Sequence, residues 1–136
     1  MILFQGKFPT TKELKTSIKV LIKEKLSQID GKLCIDLPDL NLILDEAIIN
    51  AMEHGNKWDP SKNIRVKISL TEKGIQIEIE DEGQGFDYYQ NYSTKEITPP
   101  LRERGRGLLL MQKFCDIEWQ NCGNIIKINI PIELPA

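Results

Sequence analysis

Cysteine and histidine are scarce in this chain, and that removes whole classes of chemistry. The cysteines Cys34, Cys115 and Cys122 are odd in number and form no Cys-x-x-Cys pair. This argues against a disulfide frame and a zinc site, and it fits a reducing cytosol. Each is expected to be a small buried apolar residue. The lone histidine, His54, has no partner motif for a metal and is read as fixing the loop that follows a helix. No apolar run is long enough to cross a bilayer. Residues Met1 to Gly6 lack a basic region followed by a long apolar one, so they are not a secretory signal. A formal net charge of −2 leaves no basic field for nucleic acid or an acidic membrane. Repeats and low-complexity tracts are absent as well. What remains is a cytoplasmic chain expected to form one domain over residues 1–136, long enough to bury a core.

The polar and apolar pattern gives the elements in order. Ile2, Phe4 and Phe8 alternate with more polar positions and predict a strand that Pro9 ends. Thr10 or Thr11 caps a helix in which Leu14, Ile18, Leu21, Ile22 and Leu26 recur at helical spacing to about Ser27, and Gly31 closes the segment. Asp36 is placed to cap the next helix, with Pro38 in its first turn. Ile64, Val66, Ile68 and Leu70 alternate strictly, as do Ile75, Ile77 and Ile79. With the turn Thr71 to Gly74 between them, they predict a hairpin. Ile117 and Trp119 mark another strand, and Ile126, Ile128, Ile130 and Ile132 a last one with Pro131 near its end.

The second helix organises the rest. Over Leu42 to Asn56, Ile43, Leu44, Ala47, Ile48, Ala51 and Met52 share one broad apolar face, while Glu46, Asn50 and Glu53 line another. Leu42 and Ile49 flank the polar line, which therefore reads as the wall of a cleft; the bland alternative is a solvated face. A carboxamide oxygen there suits a hard cation such as magnesium. A carboxylate one turn away suits proton acceptance from a water or hydroxyl.

Two glycine-rich stretches follow. Asp81 has the parity of Ile75, Ile77 and Ile79, so a continuing strand would aim its carboxylate at the core side; otherwise the strand frays at Glu80 and Asp81 starts a turn. Gly83 and Gly85 allow close approach of backbone to a ligand. Residues 88–104 show no period and hold Pro99-Pro100, the mark of a functional or mobile loop. Gly105-Arg106-Gly107 then opens a helix of Leu108, Leu109, Leu110, Met111 and Phe114, whose exposed N–H groups favour an anion.

The three motifs occur in a fixed order: Glu46-Ala47-x-x-Asn50-Ala51-x-x-His54-Gly55-Asn56, Asp81-x-Gly83-x-Gly85-Phe86-Asp87, and Leu101-Arg102-Glu103-Arg104-Gly105-Arg106-Gly107-Leu108-x-Leu110-Met111. Together they resemble the Bergerat, or histidine-kinase-like, ATP-binding fold, and within it the anti-sigma-factor serine kinases of the RsbW and SpoIIAB type. The resemblance implies an α/β (α+β) sandwich: a mixed, mostly antiparallel sheet with three main helices on one face. It implies ATP and Mg²⁺ as cofactors, Asn50 as metal ligand and Glu46 as catalytic base. Asp81 would accept a hydrogen bond from the adenine amine and so select ATP over GTP, with Gly83 and Gly85 beside the base. Residues 88–104 would be the lid. Gly105, Gly107 and Leu108 would meet the phosphates, and Arg104 or Arg106 would add charge there. Arg104 stands where such kinases often carry a small residue.

By the same resemblance the chain would be a serine protein kinase that phosphorylates an anti-sigma-factor antagonist, with a sigma factor as its other partner. It would be a homodimer, with no sensor, membrane anchor or output domain. His54 lies inside the magnesium-helix motif rather than on a separate dimerisation helix, so a self-phosphorylating histidine kinase is not expected. The alternative is a non-catalytic ATP-binding module that sequesters a partner. Glu46 favours the kinase, because a pure binder needs no base.

Overall fold

Period-two alternation of isoleucine builds one face of the central sheet. The computed structural model describes residues 1–83, 116–120 and 124–133. Strand β1 spans Ile2–Pro9, β3 Asn63–Thr71, β4 Gly74–Glu80, β5 Asp116–Gln120 and β6 Ile125–Ile130, with the short β2 at Lys32–Leu33. Among the described residues the main sheet has five strands in the order β1-β3-β4-β6-β5, and every described pairing is antiparallel. Register places Ile68 opposite Ile77 and Ile77 opposite Ile128, so one row of isoleucines crosses the centre of the sheet. All three are fully buried. Burying such a side chain contributes roughly 1.5–3 kcal/mol each, and these rows anchor the core.

The opposite face of the same strands is polar. Arg65 faces Glu80 at 3.8 Å and Lys127 faces Glu78 at 3.8 Å. These partly exposed pairs keep that face in water and add little stability. The sheet is therefore one-sided, with an apolar inner face that needs cover.

Helices α1, Lys12–Ser27, and α2, Leu37–Ile49, supply the cover. Thr11 is the residue that caps α1, its hydroxyl accepting from Leu14 N–H at 3.3 Å. Thr10 instead donates its hydroxyl hydrogen to the Lys62 carbonyl at 2.7 Å. Ile18, Ile22 and Leu26 of α1 pack with Leu40, Ile43, Leu44, Ala47 and Ile48 of α2 in one cluster with the sheet isoleucines. Outside that cluster, Lys19 pairs with Asp45 at 2.9 Å and Lys23 donates to the Asn41 carboxamide at 2.8 Å, fixing the register of the helix pair. Asp36 sits at the N-cap of α2 without a side-chain cap bond, and Pro38 occupies the first turn. The expected third helix, opened by Gly105-Arg106-Gly107, lies outside the described residues.

Three features differ from the sequence expectation. The last strand does not run through Ile132. Pro131 has no N–H to give to the ladder, and the chain leaves the main sheet there. A two-residue strand β7, Ile132–Glu133, then pairs with β2 in a second small sheet. The β3–β4 connection is also tighter than the four residues read as a turn, because Thr71 and Gly74 already pair across the hairpin. Finally, Cys34 is exposed rather than buried. It follows the short β2, where its N–H donates to the Pro131 carbonyl at 2.9 Å. Cys115 and Cys122 lie outside the described residues.

Candidate functional site

The apolar face of α2 continues past its last α-helical residue in a wider helical turn. Asn50–Gly55 is π-helical, and Asn56 N–H reaches back five residues to the Ala51 carbonyl at 2.9 Å. Ala51, Met52, Gly55 and Asn56 are all buried, so the expected inner face survives the change of pitch. Single π turns of this kind are rare and concentrate at functional sites. The backbone then passes through two left-handed residues in succession, Lys57 at φ 52° and Trp58 at φ 59°. Non-glycine residues pay about 1–2 kcal/mol each in that region. Trp58 N–H bonds to the Met52 carbonyl at 2.8 Å, and Lys12 lies over the indole at 5.8 Å.

The polar line of this segment is not a solvated face. Glu46 is 7% exposed and Asn50 3% exposed. Glu53 is half-buried and His54 is exposed, so the buried polar wall narrows to Glu46 and Asn50. A carboxylate and a carboxamide set one turn apart offer hard oxygen donors. That donor set fits magnesium with water and phosphate oxygens completing the shell.

Asp81 resolves both alternatives left by its parity. The β4 ladder stops at Glu80, yet the Asp81 side chain is 3% exposed. Its N–H donates to the Asn124 carbonyl at 2.9 Å, and Asn124 Nδ2 returns a bond to the Asp81 carbonyl at 3.2 Å, which holds the segment against the β5–β6 connection. One carboxylate oxygen accepts from Gly83 N–H at 2.8 Å. Burial pushes the carboxyl up to about 6, with the Glu80 charge adding to the rise, against the Gly83 bond and the charge of Lys62.

Two glycines make room for this carboxylate. A Cβ on Gly55 would fall 2.2 Å from Asp81 Cγ and 2.3 and 2.5 Å from its two oxygens. A Cβ on Gly83 would fall 2.0 Å from the Gly55 carbonyl oxygen. The end of the π turn and the Asp81 loop are thus in direct backbone-to-side-chain contact. Two motifs about thirty residues apart in sequence form one wall.

Asn56, quoted in the sequence motif without a role, joins them further. It is fully buried. Its Nδ2 donates to Thr10 Oγ1 at 2.8 Å and to the Asn63 carbonyl at 3.0 Å, and its Oδ1 accepts from Glu82 N–H at 2.8 Å. Asn63 N–H in turn donates to the Glu82 carboxylate. An asparagine after a glycine at a helix end is fully accounted for as a turn residue, so the sequence carried no further signal for it.

Glu46, Asn50, Asp81 and Gly83 are therefore all placed, with Asp81 and Gly83 in direct contact. Gly85, Arg104, Gly105, Arg106, Gly107, Leu108 and the lid over 88–104 lie outside the described residues. A groove of about 430 Å³ lined by Gln5, Lys7, Arg65, Lys67, Glu78 and Glu80 sits on the polar side of the sheet. Among the described site residues, Glu46, Asn50, Asp81 and Gly83, none lines it.

A family model for the histidine kinase-like ATPase domain matches residues 16–130. The chain is 30% identical over 105 residues to the serine-protein kinase RsbW of Bacillus licheniformis, a match covering 71% of this chain and 66% of that protein. It is 30% identical over 103 residues to the anti-sigma F factor of Clostridium perfringens, covering 72% and 71%. To the anti-sigma F factor of Shouchella clausii it is 26% identical over 113 residues, covering 79% and 75%. The matched span takes in the helix that carries Glu46 and Asn50, the Asp81 loop that closes on its end, and the sheet strands β3 to β6, and the chain belongs to the histidine kinase-like ATPase domain family.

Proposed function

We propose that the chain is an ATP- and magnesium-dependent protein-serine kinase that phosphorylates a small anti-sigma-factor antagonist and binds a sigma factor in exchange. The observation that carries the reading is the buried pair Glu46 and Asn50 on a helical segment whose end, at Gly55, Asp81 packs against. Relatives named serine-protein kinase and anti-sigma F factor support the kinase activity and the partner class.

In this reading Asp81 accepts from the exocyclic amine of adenine, where guanine would present an acceptor of its own. Asn50 holds magnesium through its side-chain oxygen. The ion, when bound, neutralises charge that develops on the transferred phosphoryl group. Glu46 takes the proton of the attacking serine hydroxyl as its oxygen bonds to phosphorus and ADP leaves. Gly83 and Gly85 keep the backbone close to the base, while Arg104 or Arg106 and the amides of Gly105, Gly107 and Leu108 meet the phosphates. The chain acts as one domain over residues 1–136 in the cytoplasm. It works as a homodimer, to which the half-buried Leu42 and Ile49 contribute apolar surface.

The test is incubation with labelled ATP, magnesium and candidate antagonist proteins from the same genome. Glu46→Gln keeps shape and most hydrogen bonding. Transfer is expected to fall by about 10²–10⁴-fold, the usual worth of a general base, with nucleotide affinity little changed. Equal transfer by wild type and Glu46→Gln removes the base assignment. ATP and partner binding without transfer in either protein gives the non-catalytic sequestering module instead.

A further inference from the structure

We propose that Asn56 is a positioning residue for nucleobase recognition, holding the Asp81 loop at one fixed place on the helical turn that ends at Gly55. The inference rests on the reading above in which Asp81 receives the adenine amine. Its partners come from three separate places: Thr10 after β1 and Glu82 between Asp81 and Gly83, both remote in sequence, and Asn63 at the start of β3, seven residues on. The orientation of the carboxamide follows from those partners alone. The Glu82 N–H can only donate and the Asn63 carbonyl can only accept, so oxygen faces Glu82 and nitrogen faces Asn63. Both amide hydrogens are used, in a side chain with no exposed surface.

Asp81 cannot hold this position by itself. Its carboxylate touches the Gly55 site on one side and accepts from Gly83 N–H on the other. Gly83 belongs to the loop whose other end Asn124 holds through Asp81. The bond that ties this loop to the helical turn is Glu82 N–H to Asn56 Oδ1, and Asn56 N–H closes the π turn on Ala51. A shift of the loop by a fraction of an ångström moves the carboxylate along the direction in which an exocyclic amine must approach it. A hydrogen bond weakens steeply with such misalignment. The same shift costs a guanine nucleotide little, since it makes no such bond.

The experiment compares ATP and GTP affinity by calorimetry in the wild type, Asn56→Ser and Asp81→Asn, together with KM for ATP and kcat. Serine is too short to reach Glu82 while also serving Asn63. Asn56→Ser is expected to weaken ATP binding about tenfold, to narrow the ATP-to-GTP ratio by a similar factor, and to raise KM far more than it lowers kcat. A merely structural role would reduce the fraction of competent protein and leave the ratio and KM unchanged, and that result overturns the proposal. Where Asn56→Ser does not fold, Thr10→Val removes one acceptor of the carboxamide and leaves Asn56 and Asp81 in place. It is expected to narrow the ratio by about threefold, and an unchanged ratio in this variant overturns the proposal equally. If Asp81→Asn narrows the ratio and neither of the other variants does, only the positioning role fails. If Asp81→Asn leaves the ratio intact, the adenine reading fails and the proposal with it.

Discussion

Asp81 should make the nucleotide-free protein less stable than a neutral residue would, and the size of that cost follows from its burial. Its carboxyl is raised from the ordinary 3.8 to about 6, chiefly by desolvation. Between those values the folded state holds more protons than the unfolded one. The contribution of this group to stability is therefore fully present below pH 3.8 and is lost as pH rises through 6. A displacement of that size corresponds to about 3 kcal/mol at pH 8 and about half as much at pH 5. Asp81→Asn keeps the shape and the oxygen that accepts from Gly83 N–H, but it carries no charge. In urea unfolding without nucleotide, the variant is expected to be more stable than wild type by up to about 3 kcal/mol at pH 8, with the gap shrinking by roughly half at pH 5.

Nucleotide should offset most of that gap. ATP binding by Asp81→Asn is expected to weaken by about 1.5–3 kcal/mol, the worth of a hydrogen bond to a charged group. Saturating ATP therefore stabilises the wild type more than the variant at pH 8. A nucleotide-free Asp81→Asn protein no more stable than wild type at pH 8, or a gap that does not change with pH, would refute the argument that desolvation sets the energy of this carboxylate.

The other expectations concern the turn that faces it. Gly55→Ala places a methyl group 2.2 Å from Asp81 Cγ, so either the π turn or the carboxylate must move; a loss of about 1–3 kcal/mol in urea unfolding is expected, and a change under 0.5 kcal/mol would show that the contact yields freely. Lys57 is exposed and sits at φ 52°. Lys57→Gly should therefore raise stability by about 0.5–1 kcal/mol, the relief of left-handed strain less the added chain entropy of glycine, and a lower unfolding midpoint would contradict it.

How much of this was legible depends on the range over which each signal acts. The alternating isoleucines of β3, β4 and β6 have a period that no helix shares, so both the strands and their buried face could be read directly. The inner face of α2 was legible for the same reason. The π turn was not, because Ala51 and Met52 keep their phase and the extra residue shows only as the altered exposure of Glu53 and His54. Strands β2 and β7 span two residues each and have no period to detect; the one hint was Pro131. For Asp81, parity gave the direction of the side chain and could not say that the ladder would stop one residue earlier. The bonds of Asn56 reach residues 10, 63 and 82, and local pattern says nothing about groups brought together only by the fold.

The departures from local rules are not scattered. Within the described residues, a π turn at Asn50–Gly55, two successive left-handed residues at Lys57 and Trp58, and a buried raised carboxyl at Asp81 all meet at one junction. The left-handed residues cost about 1–2 kcal/mol each, and the raised carboxyl up to about 3 kcal/mol at pH 8. A sequence selected for stability alone has cheaper ways to end a helix: a glycine C-cap, an uncharged residue after β4, and an ordinary turn. Strain of this kind persists where the surrounding structure over-determines it. Here the over-determination is visible in the full set of hydrogen bonds around Asn56 and in the core packing of Ile48, Ala51 and Met52. The helices and sheet hold one carboxylate out of water at the end of a helical segment that also carries the buried Glu46 and Asn50. That concentration of strain at one junction is of the kind that clusters at functional sites rather than in a core built for stability alone.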